Sequence, residues 1–476
     1  QTMDKILDAV AKVNGFVNDI VWGWPVIILI LGTGILLTIM TKFLQVRKFK
    51  ASLDETIVPT VKSIGKKGNK DSRAKSVSQF EAFSTAISGT VGTGNIIGVT
   101  SAILTGGPGA VFWMWISAFF GMVTNYSENV LGLYFRKKGK DKELSGGAFY
   151  YIYYGLKWRW LAYVAALFTM FAAIGMSGAQ TNKISGTIAN AVNSNELWVK
   201  LVIGIIVALL VGIIIVGGIK RIGKVASLLV PFMSLLFIVL ALVGISMHIV
   251  NVPAAFAAIF SSAFGVKALA GGVTGYIFAD VIKKGMARGV FSNEAGLGSS
   301  VIAHSASETR EPVKQGLWGI FEVFFDTFIV CTLTALLLLT SVNLADIGPE
   351  LNDTAFIMDV FSSNFGIFGT IVFTIILPLF AFTTIMAWSY YGEKATGFLF
   401  RGLGDKGRNI AILVFKIIYI VLIVASAVIT SSLAWEISDT FNGLMAIPNL
   451  ICLVGLSALV AKITKNYFDR KKGIDV

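Results

Sequence analysis

Between residues 78 and 104 runs an apolar segment long enough to cross a bilayer, and in its middle stands Gly89-Thr90-Val91-Gly92-Thr93-Gly94-Asn95. Glycines and small hydroxyl side chains disfavour helix at the depth where lipid demands it. Non-helical backbone survives there only if its freed N–H and C=O groups face protein, water or a ligand. Interrupted helices at the bilayer midplane are one way a membrane protein holds an ion and a small solute. The plainer alternative is a glycine seam where two helices pack closely. Two threonines, an asparagine and a second interruption argue against a mere seam.

Composition sets the class. The 476-residue chain is 55% apolar and 14% charged, against about 25% charged in soluble domains, so it reads as an all-α polytopic membrane protein. Its net charge of +13 comes from basic residues clustered between apolar runs. That points to membrane topology rather than nucleic acid. Cys331 and Cys452 both lie inside apolar runs, which implies neither a disulfide framework nor a metal cluster. Residues 1–18 are amphipathic and lack the pattern of a cleaved signal peptide.

A hydrocarbon core of about 30 Å takes about 20 residues of helix. On that measure the sequence predicts eleven spans, near 20–41, 78–104, 109–135, 159–181, 197–218, 225–250, 267–289, 315–342, 366–392, 410–432 and 440–461. With residue 1 outside, 34 of the 40 lysines and arginines fall in inner segments and 5 outside, a bias that orients the chain with a cytoplasmic C-terminus in the cell membrane. Eleven is one peripheral helix plus a 5+5 inverted repeat. The expected segments are 1–77, with an amphipathic start, the peripheral span and a basic loop; 78–250, the first repeat; 251–461, the second; and 462–476, a basic tail. Each repeat would open with a broken helix, the second break being Gly271-Gly272-Val273-Thr274-Gly275. Paired interruptions at corresponding positions point to a midplane site.

The residues suggest how such a site works. N–H groups at Thr93 and Gly94 would start the outer half-helix, whose positive end attracts a carboxylate. Asn95 adds a side-chain amide facing the solute. The carbonyls of Gly89 and Val91, freed from helix bonding, are hard oxygen ligands for sodium. Span nine offers Thr383 and Thr384 after Pro378, with the carbonyl of Phe380 one turn earlier; adjacent threonines also commonly bond back to their own helix. Gln79 shares a helical face with Thr90 and either binds solute or caps the helix. Phe168, Phe171, Ile174, Gly175 and Gln180 offer a wall for a small side chain, or ordinary packing. Val273 and Ile277 would crowd any substituent beyond methyl. Asp280 and Asp326 fall within or near spans, where carboxylates are costly; they would pair with Lys283, Lys284 or Lys416, or relay protons. Glu128, Glu322, Glu393 and Glu436 lie nearer span ends and are expected to be solvated or gate-forming.

Several blocks resemble the alanine or glycine:cation symporter family. They are Gly109-Ala110-Val111-Phe112-Trp113-Met114-Trp115-Ile116-Ser117-Ala118 with Gly121-Met122 and Tyr126-Ser127-Glu128, then Gly289 through Ser299, and the break itself. The resemblance implies a leucine-transporter-type inverted repeat and sodium-coupled uptake of alanine or glycine, without organic cofactor and with the monomer as working unit. By that analogy Gly89, Val91, Phe380, Thr383 and Thr384 would ring sodium, while Thr93, Gly94 and Asn95 meet the substrate carboxylate. The break is one residue shorter than the two-sodium pattern, which argues against a second sodium. The 289–299 block is expected to be a structured inner loop or re-entrant element.

Rival classes fare worse. Thr90-Val91-Gly92-Thr93-Gly94 is similar to a potassium filter, but filters need four copies. His248 and His304 have no neighbouring metal-ligand or nucleophile–base motif, and the glycines lack phosphate-loop or dinucleotide spacing. A polytopic scaffold would not need paired breaks.

Overall fold

The computed structural model describes residues 2–63, 76–139, 143–194, 196–265, 274–344, 347–429 and 431–473. Helices α1 (Thr2–Val21) and α2 (Trp24–Met40) lead through short helical pieces to α3 (Gln79–Thr90), a 3-10 turn at Thr93–Asn95, and α4 (Ile97–Gly106). Then come α5 (Gly109–Phe135), a small antiparallel hairpin of β1 (Lys137–Lys138) and β2 (Leu144–Ser145), α6 (Arg159–Ala191), α7 (Leu197–Ile215), α8 (Gly218–Met247) and α9 (Val252–Ala263). The second part holds α10 (Thr274–Asn293), α11 (Val301–His304), α12 (Pro312–Val323), a π-helical turn at Phe324–Cys331 and α13 (Thr332–Ser341). It closes with α14 (Asp353–Leu399), α15 (Gly404–Ser426) and α16 (Ser431–Lys471).

Apolar side chains such as Leu209, Ile213, Leu228 and Ile417 stand exposed on α7, α8 and α15. Such surfaces suit lipid, not water. Inside, α6 packs along α14 and α16, and α5 lies against α10 and α12. Gly109 lets α5 close onto the backbone of Ser262 and Ala263, and Gly121 brings it to Ala295. The signature glycines are therefore contact points of a scaffold helix.

Among the described residues, eight helices are long and apolar enough to span, or nine if the bent pair α3–α4 counts as one. The expected eleven is not reproduced on that measure. The third and seventh expected spans are helices, α5 of 27 residues and α10 of 20, but too polar to qualify. Burial explains the shortfall. Ser117, Thr124, Asn125, Ser127, Glu128 and Asn129 of α5 all face the interior, so lipid never meets them. The start of the ninth expected span coincides with Gly366, whose φ of 62° splits α14 into two helices.

Lysines on α10 also correct the charge count. Lys284 Nζ donates to the carbonyl of Thr105 at the far end of α4 from Gln79, the end read as external. With that end read as external, counting Lys283, Lys284 and Arg288 there would give 31 of 40 basic residues on the expected inner side and 8 on the outer, a weaker bias of the same sign.

Candidate functional site

Helix α3 begins with a reciprocal cap: Glu81 N–H donates to Ser78 Oγ at 3.2 Å, and Ser78 N–H to Glu81 Oε2 at 2.9 Å. It ends where Gly92 turns extended (φ −133°, ψ −155°), and α4 departs at 54°. Asn95 closes the break. Its Oδ1 accepts from Gly92 N–H at 2.9 Å, and its own N–H donates to the Gly92 carbonyl at 3.3 Å. The carbonyls of Ser88 and Val91 thereby lose the partners that a continuous helix would supply. Among the described residues, the N–H groups of Thr93 and Gly94 have no acceptor. The carbonyls of Gly89 and Thr90 lose their donors with them, so two donors and four acceptors at the break are without helical bonds.

On the carbonyl side stands α14. Thr383 and Thr384 both donate to the Phe380 carbonyl, at 2.9 and 3.1 Å. The back-bonding weighed from sequence is present, and it gathers three oxygens at one point. Thr384 Oγ1 lies so close to Gly92 that a Cβ there would collide with it. A Cβ on Gly89 would meet Tyr391 Oη at 2.9 Å and Ala387 Cβ at 3.4 Å. Gly92 is thus brought against Thr384, and Gly89 against Ala387 and Tyr391, while Thr383 Oγ1 also reaches Met233 Sδ at 3.7 Å; the Val91 and Ser88 carbonyls belong to the same break.

Most of the second expected break cannot be placed, and a clear loss of helix stands further along the chain. Gly271, Gly272 and Val273 lie outside the described residues; Thr274 and Gly275 already belong to α10, which runs unbroken to Asn293. Helix is lost over Glu294–Ser300, where Glu294 (φ 56°), Gly296 (φ 94°) and Gly298 (φ 75°) are left-handed. This is the 289–299 block, expected to be a structured inner loop or re-entrant element, and it is buried throughout. Glu128 Oε1 accepts from Gly296 N–H at 3.1 Å and Gly298 N–H at 3.0 Å. Asn449 joins them, donating to the Gly296 carbonyl at 2.8 Å and to Glu128. Glu294 accepts from Trp388 Nε1 at 2.9 Å and from Ser299 Oγ. Past the break, Val77 pairs with the strand-like stretch at Ser307, so α11 ends beside the start of α3. The two broken helices run antiparallel.

The breaks meet. Phe291 and Ser292 lie 3.5 and 3.7 Å from where a Gly94 side chain would begin. Asp326, on the π-helical turn, takes hydrogen bonds from Asn95 of the first break and from Ser292 beside the second, the latter at 3.0 Å. From α6, Gln180 Oε1 accepts from Thr93 Oγ1 at 2.9 Å. Trp435 of α16 packs on Phe291 at 5.0 Å between ring centroids, and Arg288 pairs with Asp439 beyond it at 3.4 Å.

Other expected residues fall elsewhere. Gln79 opens α3 about 16 Å along the axis from Thr90, so it belongs to the helix start. Phe168 sits about three turns before Gln180, half-buried in general packing. Of Ile277, only its helical placement in α10 is described. Asn95 faces Gly92 and Asp326 rather than open space. Asp280 pairs with Lys284 at 3.0 Å and Lys416 with Glu393 at 2.8 Å, as structural pairing predicts for Asp280. Glu128 and Glu322, expected to be solvated or gate-forming, are both buried. Glu128, Ser292 and Glu294 all lay in the quoted family blocks, which was the one signal available for them.

Residues 7–475 match the sodium:alanine symporter family. The sodium/alanine symporter AgcS of Methanococcus maripaludis is 39% identical over 98% of this chain and 99% of its own length. An uncharacterized transporter of Haemophilus influenzae is 41% identical over 99% and 97%, and the probable sodium/glutamine symporter GlnT of Bacillus subtilis is 36% identical over 99% and 92%. The crystal structure of MhsT in complex with L-phenylalanine covers 82% of this chain and 98% of that one with a TM-score of 0.58 at 15% identity, a likeness of fold. The chain is a multi-pass membrane protein of the sodium:alanine symporter family, a family of amino-acid:cation symporters and not of enzymes.

Proposed function

We propose that the protein imports small neutral amino acids, alanine or glycine, together with sodium, by alternating access. The observation that carries this reading is the meeting of two antiparallel helix breaks, the first with unpaired backbone donors and acceptors. Carbonyls of Ser88, Val91 and Phe380 with the hydroxyls of Thr383 and Thr384 suit a hard monovalent cation. The Thr93 and Gly94 N–H groups suit a carboxylate. Phe291 against Gly94 leaves little room for a long side chain, which favours alanine or glycine over the glutamine named for one relative. The antiparallel breaks are what an inverted repeat would supply, with the N-terminus outside and the C-terminus cytoplasmic.

One sodium crossing about 100 mV contributes about 2.3 kcal/mol, and a tenfold gradient about 1.4 kcal/mol. Together they support accumulation of several hundredfold. Purified protein in liposomes should accumulate alanine on an imposed sodium gradient, with glycine competing and glutamine competing weakly. Equal uptake without sodium would refute sodium coupling, and competition by glutamine equal to that by glycine would refute the size argument.

A further inference from the structure

At the C-terminal end of α2 the chain turns through two left-handed residues, Lys42 (φ 59°) and Phe43 (φ 55°), into the short helix Leu44–Arg47. Non-glycine residues rarely adopt that conformation, and here two do so in succession. Past the turn, Lys42, Arg47 and Lys48 line one side of a cleft of about 550 Å³ between α2 and α16. The other side is the end of α16 and the residue after it. There Lys462, Lys465 and Lys472 recur at intervals of three and seven residues, so they share one helical face.

Six cations therefore line one hollow with a single acid, Asp469. Among the described residues none of the six forms an ion pair, and neither does Asp469. Acids are within reach of this end of α16, but they serve its other face: Arg470 pairs with Glu311 at 3.1 Å and Lys471 with Glu55. Lys48 is held instead by an aromatic ring, its Nζ 4.5 Å from the centroid of Phe468 on α16. The general bias of basic residues toward the cytoplasmic face would scatter such charges into water. It does not gather six around one cleft and leave them without carboxylates. Like charges focused in a concave site attract an anion.

The rim says which anion. Met40, Phe43 and Val46 are exposed apolar side chains at this end of α2, and they continue the apolar surface that Ile35 and Ile39 present along it. Free phosphate has no use for that rim. A phospholipid lays its acyl chains against it and sets its phosphodiester among the ammonium and guanidinium groups.

We propose that this cleft binds the headgroup of an anionic phospholipid, held by Lys42, Arg47 and Lys48 on one side and by Lys462, Lys465 and Lys472 on the other, so that one lipid bridges α2 to α16. The cleft shares no residue with the helix breaks, and the inference does not depend on what is transported. It lies at the end read as cytoplasmic, the leaflet whose surface potential anionic lipid sets.

The test mixes the full-length protein in neutral detergent with phosphatidylglycerol and phosphatidylcholine of matched acyl chains at equal concentration, and counts retained lipid by native mass spectrometry. Wild-type protein should retain phosphatidylglycerol in clear preference. The triple variant Lys462→Gln, Lys465→Gln, Lys472→Gln should bind it about 100-fold more weakly. The triple variant Lys138→Gln, Lys220→Gln, Lys224→Gln removes as much charge from exposed positions outside the cleft and should bind as wild type does. A phosphatidylglycerol with a photoreactive headgroup should label wild-type peptides within 40–48 and 462–472. Equal retention of the two lipids by wild-type protein, or labelling only elsewhere, overturns the proposal whether or not the variants fold. So does wild-type binding by the cleft variant, or equal loss in both triple variants. Inorganic phosphate competing as well as the lipid at equal concentration would overturn it too, by assigning the cleft to a free anion.

Discussion

Gly92→Ala tests the junction of the first break with α14 directly. The backbone at Gly92 is extended (φ −133°, ψ −155°), so alanine meets no left-handed strain and the cost is steric. Its Cβ would lie 3.5 Å from Thr384 Cβ and 3.7 Å from Gln180 Nε2, both ordinary contacts, but would collide with Thr384 Oγ1. Threonine in a helix has few χ1 choices. Swinging the hydroxyl away breaks its bond to the Phe380 carbonyl and withdraws one oxygen from the set facing the break. Overpacking of this kind costs about 1–3 kcal/mol, which would raise the sodium concentration for half-maximal uptake by about 5- to 150-fold. The same substitution on a Thr384→Ala background has no hydroxyl to hit. There it should cost under about 0.5 kcal/mol more than Thr384→Ala alone. Sodium titrations of alanine uptake for the two single variants, the double variant and the parent form the cycle. Additive effects would refute the contact and with it the placing of Thr384 against the break.

Three further outcomes follow from the same geometry. Thr384→Ala alone should raise the half-saturating sodium by about 10- to 100-fold, the value of one hydrogen-bond-like ligand to a charge of about 1.5–3 kcal/mol, with little change in maximal uptake; an unchanged titration would remove it from the sodium site. Asn95→Ala should abolish alanine binding measured by calorimetry, since it unties both Gly92 and Asp326; wild-type affinity would move the pocket elsewhere. Glu128→Ala strands the N–H groups of Gly296 and Gly298 and the amide of Asn449, and should destabilise the protein by about 2–5 kcal/mol, read as a lowered Tm in detergent; an unchanged Tm would mean that water replaces the carboxylate.

The first break could be read from sequence because glycine and threonine at bilayer depth contradict lipid in a way no tertiary contact can hide. Thr383 and Thr384 were legible for a related reason, as paired hydroxyls following Pro378. The second break was not. Its glycines stand next to Asn293 and Glu294, so a hydropathy reading pushed the whole stretch into the cytoplasm and moved the break to the glycines at 271–275. Charge misled again at Glu128 and Glu322, expected to be solvated or gate-forming when each is buried. A carboxylate held by two backbone N–H groups from a distant helix break leaves no local trace, since the partners lie 168 and 170 residues away. Gln79 and Phe168 failed for a geometric reason: sharing a helical face says nothing of depth, and each lies turns away from the site along its own helix.

What the unpaired groups do to coupling follows from the cost of burying them. A buried backbone donor or acceptor left without a partner costs about 1–3 kcal/mol. The first break carries the Thr93 and Gly94 N–H groups and the Ser88, Gly89, Thr90 and Val91 carbonyls. On the proposed reading, sodium alone would satisfy the carbonyls while the N–H pair would be closed over empty, and the amino acid alone would satisfy the N–H pair while leaving carbonyls unpaired. Either half-loaded form would then close at a penalty of several kcal/mol, enough to slow it by orders of magnitude, whereas the fully loaded form would close with both sets paired. In the proposed symporter, the coupling of sodium to amino acid is thus a property of one seven-residue stretch of backbone, and Gly92, squeezed between Thr384 and Gln180, is the residue that holds its two sides within reach of each other.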